Sequence, residues 1–144
     1  MKPTHFLTLD DVKLAAAAAE AEAIANGWAV SIAICDAGGH ALWLQRMDGA
    51  PLMSAAVAPE KARTCVLSGK PSKVFEDMVN NGRFAALAMP VVPLEGGEPI
   101  VFGGNVVGAV GVSGVKAGED AQVARAAIAA LLAHIAATKP EDAA

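Results

Sequence analysis

Toward the C-terminal half, apolar runs alternate with glycine. Pro99–Phe102 and Val106–Ser113 are apolar, and Gly103-Gly104-Asn105 joins them. Glycine and asparagine tolerate the positive φ of a tight turn, so the stretch predicts a β-hairpin. Glycines recur at 108, 111 and 114 among Val106, Val107, Val110 and Val112. Glycine weakens a strand, and its repetition predicts close approach of a helix or a ligand to the backbone.

The preceding chain divides by the same reading. Thr8 is an N-cap, Asp10 and Asp11 suit the positive end of a helix dipole, and Leu7 and Val12 form a hydrophobic staple. That helix runs to about Asn26, with Gly27 as its stop. Its alanine-rich middle, Ala15–Ala19, would let it lie close to a glycine-rich strand. Trp28–Asp36 and Ala41–Arg46 read as strands around the turn Ala37-Gly38-Gly39-His40. On the second strand Leu42, Leu44 and Arg46 share one face, and Trp43 and Gln45 the other.

Pro59 suits the first position of a second helix that carries Lys61, Arg63 and Thr64 and stops at Gly69. Ser72 caps a third, ended by Asn80-Asn81-Gly82, and Arg83–Met89 is open between a helical turn and a loop. Val91–Leu94 reads as an edge strand, because Pro93 cannot donate to a ladder. A last helix spans Ala121–Ala137, and residues 138–144 form a polar tail. The order α-β-β-α-α-β-β-β-α predicts one α+β domain over residues 1–144, with helices on a five-stranded, mainly antiparallel sheet.

Composition adds the nature of the core. The chain is 54% apolar, 18% charged and 4% aromatic, so Ala, Val and Leu must fill the interior. Such an apolar small domain is expected to cover part of its surface with copies of itself as a homo-oligomer. The net charge of −4 and the lack of a basic stripe argue against a nucleic-acid partner. No uncharged apolar run reaches the roughly 18 residues of a membrane span, so no membrane partner is expected. The start, MKPTHFLTLDD, lacks a signal-peptide core, which gives a cytoplasmic expectation. Cys35 and Cys65 lack metal-site spacing and read as small apolar residues.

Candidate chemistry is sparse. His5, His40 and His134 are far apart, so no metal site is predicted, and Ser113 in GVSGV lacks the spacing of a nucleophile elbow. Arg46, Asp48, Lys61 and Arg63 form a charged group on a strand end, a loop and the next helix. If that helix folds back beside the hairpin, the four converge at one end of the sheet. Arg46 and Asp48 would then hold each other, leaving Lys61 as a free cation for a carboxylate. The competing reading is a solvated cluster of ion pairs stitching loop to helix. In Glu95-Gly96-Gly97-Glu98-Pro99, the Gly96 and Gly97 amides could face an anion, or the segment is a simple turn. His40 could serve as an acid–base group or a haem ligand, or be merely solvated.

Taken together, Ile32–Gly39 (IAICDAGG), Arg46–Ala50 (RMDGA), Lys61–Thr64, Gly96–Val101 and Val107–Gly114 followed by Asp120 resemble the GlcG/HbpS family, also met as the C-terminal domain of PduO-type proteins. The matching pieces span residues 8–135. The resemblance implies a profilin-like α+β fold and a compact oligomer, from dimers up to octamers. It also implies a ligand, since several members bind or degrade haem and others accompany the catabolism of small organic acids or diols. Some relatives bind haem through a histidine near the first helix. Here Thr8–Asn26 has none and His5 lies ahead of it, so no iron ligand is carried over.

Two functions compete. One is a protein binding haem or a related tetrapyrrole between subunits. The other is an isomerase or hydrolase of a small unsaturated oxo- or hydroxy-acid. In it Lys61 or Arg46, together with the Gly96 and Gly97 amides, would fix the carboxylate, and Asp48, Glu98 or His40 would move a proton. A third possibility is an oligomeric scaffold without a ligand.

Overall fold

The structure is a computed structural model that describes residues 1–138. Its first helix, α1 (Leu9–Ala25), begins at a capping box: the Thr8 hydroxyl accepts from the Asp11 amide, and the Asp11 carboxylate accepts from Thr8. Gly27, at φ 71°, turns the chain out of it. Strands β1 (Ser31–Asp36) and β2 (Ala41–Arg46) follow, then helices α2 (Ser54–Ser68) and α3 (Lys73–Asn80) and a 3-10 turn, Phe84–Ala88. Strands β3 (Gly97–Phe102) and β4 (Asn105–Ser113) form the predicted hairpin, and α4 (Ala117–Ala137) closes the described chain.

The sheet has four strands in the order β2-β1-β4-β3, and every pair is antiparallel. The fold is thus α+β, but the expected fifth strand, Val91–Leu94, is absent. That segment makes no ladder and is held by hydroxyl groups instead. The Val92 amide donates to Thr64 Oγ1 at 2.9 Å, and Ser72 Oγ donates to the Leu94 carbonyl. Pro93, which cannot donate, belongs to an irregular segment and not to a sheet edge.

Register explains the layering. Ile32 and Ile34 pair with Val112 and Val110, placing branched side chains on one face. There α1 and α4 cover them with Ala15, Ala16, Ala19, Val123, Ala127 and Leu131. On the other face Ala33 and Cys35 pair with Gly111 and Ala109, and α2 packs there. A methyl group at Gly111 would overlap the Ala58 carbonyl oxygen and stand 2.7 Å from the Ala62 nitrogen. One at Gly97 would overlap the Lys61 carbonyl oxygen.

The glycines therefore admit a helix, as expected, but the helix is α2. The alanines of α1 serve a different contact, against α4 and the branched face. Helix α2 also starts earlier than its proline suggests, so Pro59 lies inside it. Ser54 opens the helix instead, its hydroxyl bonded to the Pro51 carbonyl and, at 2.7 Å, to the Ser31 hydroxyl. By length and composition α4 would suffice to cross a membrane; here it lies on the sheet and α1 with Val123, Ala124, Ala127 and Leu131 buried.

Candidate functional site

Lys61 and Arg46 do come to one end of the sheet. Arg46 pairs in register with Ser31, Ser31 with Ser113, and Lys61 Nζ donates to the neighbouring Val112 carbonyl at 2.9 Å. Strands β1 and β4 separate them, however, and Lys61 is not a free cation. Its side chain is 4% exposed, and Nζ lies 3.0 Å from Asp120 Oδ2, whose side chain is 3% exposed. The other Asp120 oxygen accepts from the Val115 amide at 3.0 Å. Burial pushes the Asp120 carboxyl above its ordinary range, and the Lys61 ammonium and Val115 amide pull it back. The pair joins α2, β4 and the start of α4 inside the molecule.

The glycine segment is built around the same pair. Gly96, at φ 130°, leaves room for Lys61: a methyl group there would stand 2.7 Å from Nζ and 2.6 Å from the Val112 carbonyl oxygen. The Gly97 amide is not available to an anion, since it donates to Ser72 Oγ at 2.9 Å. Ser72 thus gives no side-chain cap to α3 and serves as a staple between Leu94 and Gly97.

The remaining candidates disperse. Arg46 and Asp48 are exposed, and among the described residues no ion pair joins them. Glu98 turns toward α4 and meets Arg125 at 3.3 Å; burial raises its carboxyl, with Arg125 opposing the shift. Cys35 and Cys65 lie in the small core between α2 and the sheet, unbridged, and burial pushes each thiol up to about 12. Arg63 lies at the opposite end of the sheet from Arg46, beside the β1–β2 turn. The four charges expected to converge therefore do not.

A different constellation forms at that turn. Asp36 Oδ1 accepts from the Gly38 and His40 amides, each at 2.9 Å, and meets His40 Nδ1 at 3.2 Å. The His40 amide, followed by that of Gly38, holds the Asp36 carboxyl below its ordinary range. Arg63 packs its stem on Gly39, where a methyl group would stand 3.2 Å from its Cγ.

Beneath the turn lies a recess of about 50 Å³ between α2 and the β2 edge, lined by Gly39, Ala41, Trp43, Leu44, Pro59 and Ala62. It opens where the ladder is bulged: Ile34 pairs with Trp43 but Cys35 with Ala41, so Leu42 has no partner. Sequence reasoning found His40 and Arg63 but missed Asp36. An aspartate heading a glycine turn, as in Asp36-Ala37-Gly38-Gly39-His40, is a usable signal for such a bond. Asp120, 59 residues from Lys61, offers no comparable one.

A four-stranded antiparallel sheet with one helix on its small-residue face and two on its branched face, built round a buried lysine–aspartate pair, defines the class of domain. Residues 7–129 match the family model described as haem degrading protein HbpS-like, and the chain belongs to that family. It is 47% identical over 114 residues to Protein GlcG of Escherichia coli (strain K12), covering 78% of this chain and 85% of that protein. Among solved structures, Klebsiella pneumoniae protein ORFY superposes with a TM-score of 0.87 at 28% identity, over 92% of this chain and 95% of its own. A PduOC:heme complex superposes with a TM-score of 0.80 at 30% identity, over 88% and 95%.

Proposed function

We propose that this protein binds haem or a related tetrapyrrole, and does so as a homo-oligomer. The observation that carries the reading is the similarity to the PduOC:heme complex, 30% identity at a TM-score of 0.80. A haem needs apolar contact for its ring and a nitrogen, sulfur or oxygen donor for its iron. This chain offers a candidate for each. His5 stands edge-on to Phe102 with ring centroids 4.8 Å apart, and Phe6 and Leu9 expose apolar surface close to it in the chain. Those residues would hold the ring, and His5 is the donor that would face the iron. Oligomerisation rests on further apolar side chains left open to water, among them Leu44, Leu52, Met53, Phe84 and Leu87.

The test is a hemin titration of the purified protein followed in the Soret band, with light scattering to give subunit number. A saturable shift at a stoichiometric ratio, weakened about tenfold or more by His5→Ala, is the expected result. Uptake that never saturates, or a shift indifferent to His5, overturns the reading.

A further inference from the structure

The sheet has two outer strands, β2 and β3, and their free edges differ. We propose that the edge of β2 pairs antiparallel with the same strand of a second copy, joining the two sheets into one; this rests on the homo-oligomer reading and gives it a surface. The β3 edge is closed. Its Gly96 carbonyl accepts from the Val112 amide at 2.9 Å, so alternation turns the backbone groups of Gly97 and Pro99 away from β4. Ser72 takes both groups of Gly97: its hydroxyl accepts from that amide at 2.9 Å, and its own amide donates to that carbonyl at 3.1 Å. Pro99 has no N–H to give, and the ladder is irregular after Ile100. That edge offers no continuous row of donors and acceptors to a further strand.

The β2 edge is open. The Met47 amide donates to the Val30 carbonyl at 3.0 Å, so Met47, Gln45 and Trp43 face β1, and the N–H and C=O groups of Leu44 and Arg46 face outward. Among the described residues no other element bonds to those outward groups. The strand holds no proline, and Leu42 and Leu44 are 36% and 51% exposed. A two-fold axis at Leu44 makes the edge complementary to itself. Leu44 of one copy exchanges both its bonds with Leu44 of the other, and each Arg46 meets the opposite Leu42, which has no partner on β1. Moving the register by two residues one way loses Leu42. Moving it the other way sets Arg46 against His40, whose carbonyl already accepts from the Asp36 amide. With the axis at Leu44 the two Arg46 residues lie about 13 Å apart along the strands, beyond the roughly 8 Å screening length at physiological salt. Apolar surface also meets apolar surface. Ser54 is bonded to Ser31, which pairs with Arg46, so the exposed Leu52 and Met53 stand at the Arg46 end of the strand. The axis brings them toward the Leu42 end of the other copy.

The experiment compares the full chain with Leu44→Lys and Leu44→Pro by light scattering and by residue-resolved amide hydrogen exchange. A lysine on an exposed edge disfavours strand addition, and a proline there removes an outward N–H without taking one from the β1 ladder. Each variant should lower the particle mass to half that of the unaltered protein or less. The amides at positions 44 and 46 should exchange about tenfold or more slowly in the unaltered protein than the Arg46 amide does in Leu44→Lys. The Gln45 amide, which faces β1, should exchange alike in both, a split that mere weakening of the fold would not produce. Unchanged particle mass in the folded variants, or an Arg46 amide as fast in the unaltered protein as in Leu44→Lys, overturns the proposal and leaves the oligomer reading standing. An unaltered chain that scatters as a monomer overturns both. If one variant misfolds, the other variant and the protection of the unaltered edge amides still decide the matter.

Discussion

Replacing Lys61 by alanine separates a structural cation from a ligand-binding one. On a surface, losing such a lysine costs about 0–1 kcal/mol. Here the substitution strands the Asp120 carboxylate at 3% exposure with the Val115 amide still donating to it, and removes the 2.9 Å bond to the Val112 carbonyl. Breaking a buried pair from one side costs about 3–5 kcal/mol, because the surviving charge has lost its counter-ion but not its burial. For a chain of this size each kcal/mol moves the melting point by about 3 °C, so the midpoint should fall by roughly 10–15 °C. Urea unfolding followed by circular dichroism measures the same loss at fixed temperature. The paired change Lys61→Met with Asp120→Leu should recover most of it, since apolar residues of similar volume commonly replace a buried pair without loss. A Lys61→Ala protein within about 1 kcal/mol of the original would refute the reasoning.

Two more predictions follow from the glycines and from Glu98. Gly111→Ala should destabilise by at least about 1–3 kcal/mol, because the added methyl overlaps the Ala58 carbonyl; Gly118→Ala, open on all sides within α4, should stabilise by about 0.5–1 kcal/mol. Equal urea midpoints for the two would contradict the packing of α2 on β4. Burial raises the Glu98 carboxyl in the folded state, so its contribution is full below the unfolded carboxylate range and is lost as pH rises through the raised value. Glu98→Gln, which stays neutral, should therefore gain on the original protein as pH rises through the ordinary carboxylate range into the raised one. A difference that stays constant over that interval, or runs the other way, counts against the assignment.

Most of the architecture was legible in the sequence because it rests on local rules. The Thr8 cap, the Gly27 stop, the limits of β2 and the Gly103-Gly104-Asn105 hairpin each depend on a few adjacent residues. What failed depended on partners far along the chain. Val91–Leu94 has the apolar run and the proline of an edge strand, yet Ser72 and Thr64 satisfy its backbone first. Pro59 looked like a helix start because nothing nearby showed that Ser31 would meet Ser54. At the site, His40 and Arg63 were found as residue types, but Arg63 was grouped with Arg46 by proximity in sequence. Register puts them at opposite ends of the sheet. Lys61 reads from its neighbours as a free cation and is instead paired and buried, since no local feature announces Asp120 on the last helix.

The clasp of Thr64 and Ser72 on the stretch before β3 has an evolutionary corollary. A strand that gains or loses one residue turns every later side chain to the opposite face unless a bulge absorbs the change, as the irregularity between Ile100 and Val101 of β3 does. The run from Arg83 to Leu94 joins no ladder, and hydroxyl groups hold its end at Val92 and Leu94. Residues can be added or removed ahead of Val92 without inverting anything downstream. This is the part of the domain that descendants can remodel while the sheet beneath stays as it is.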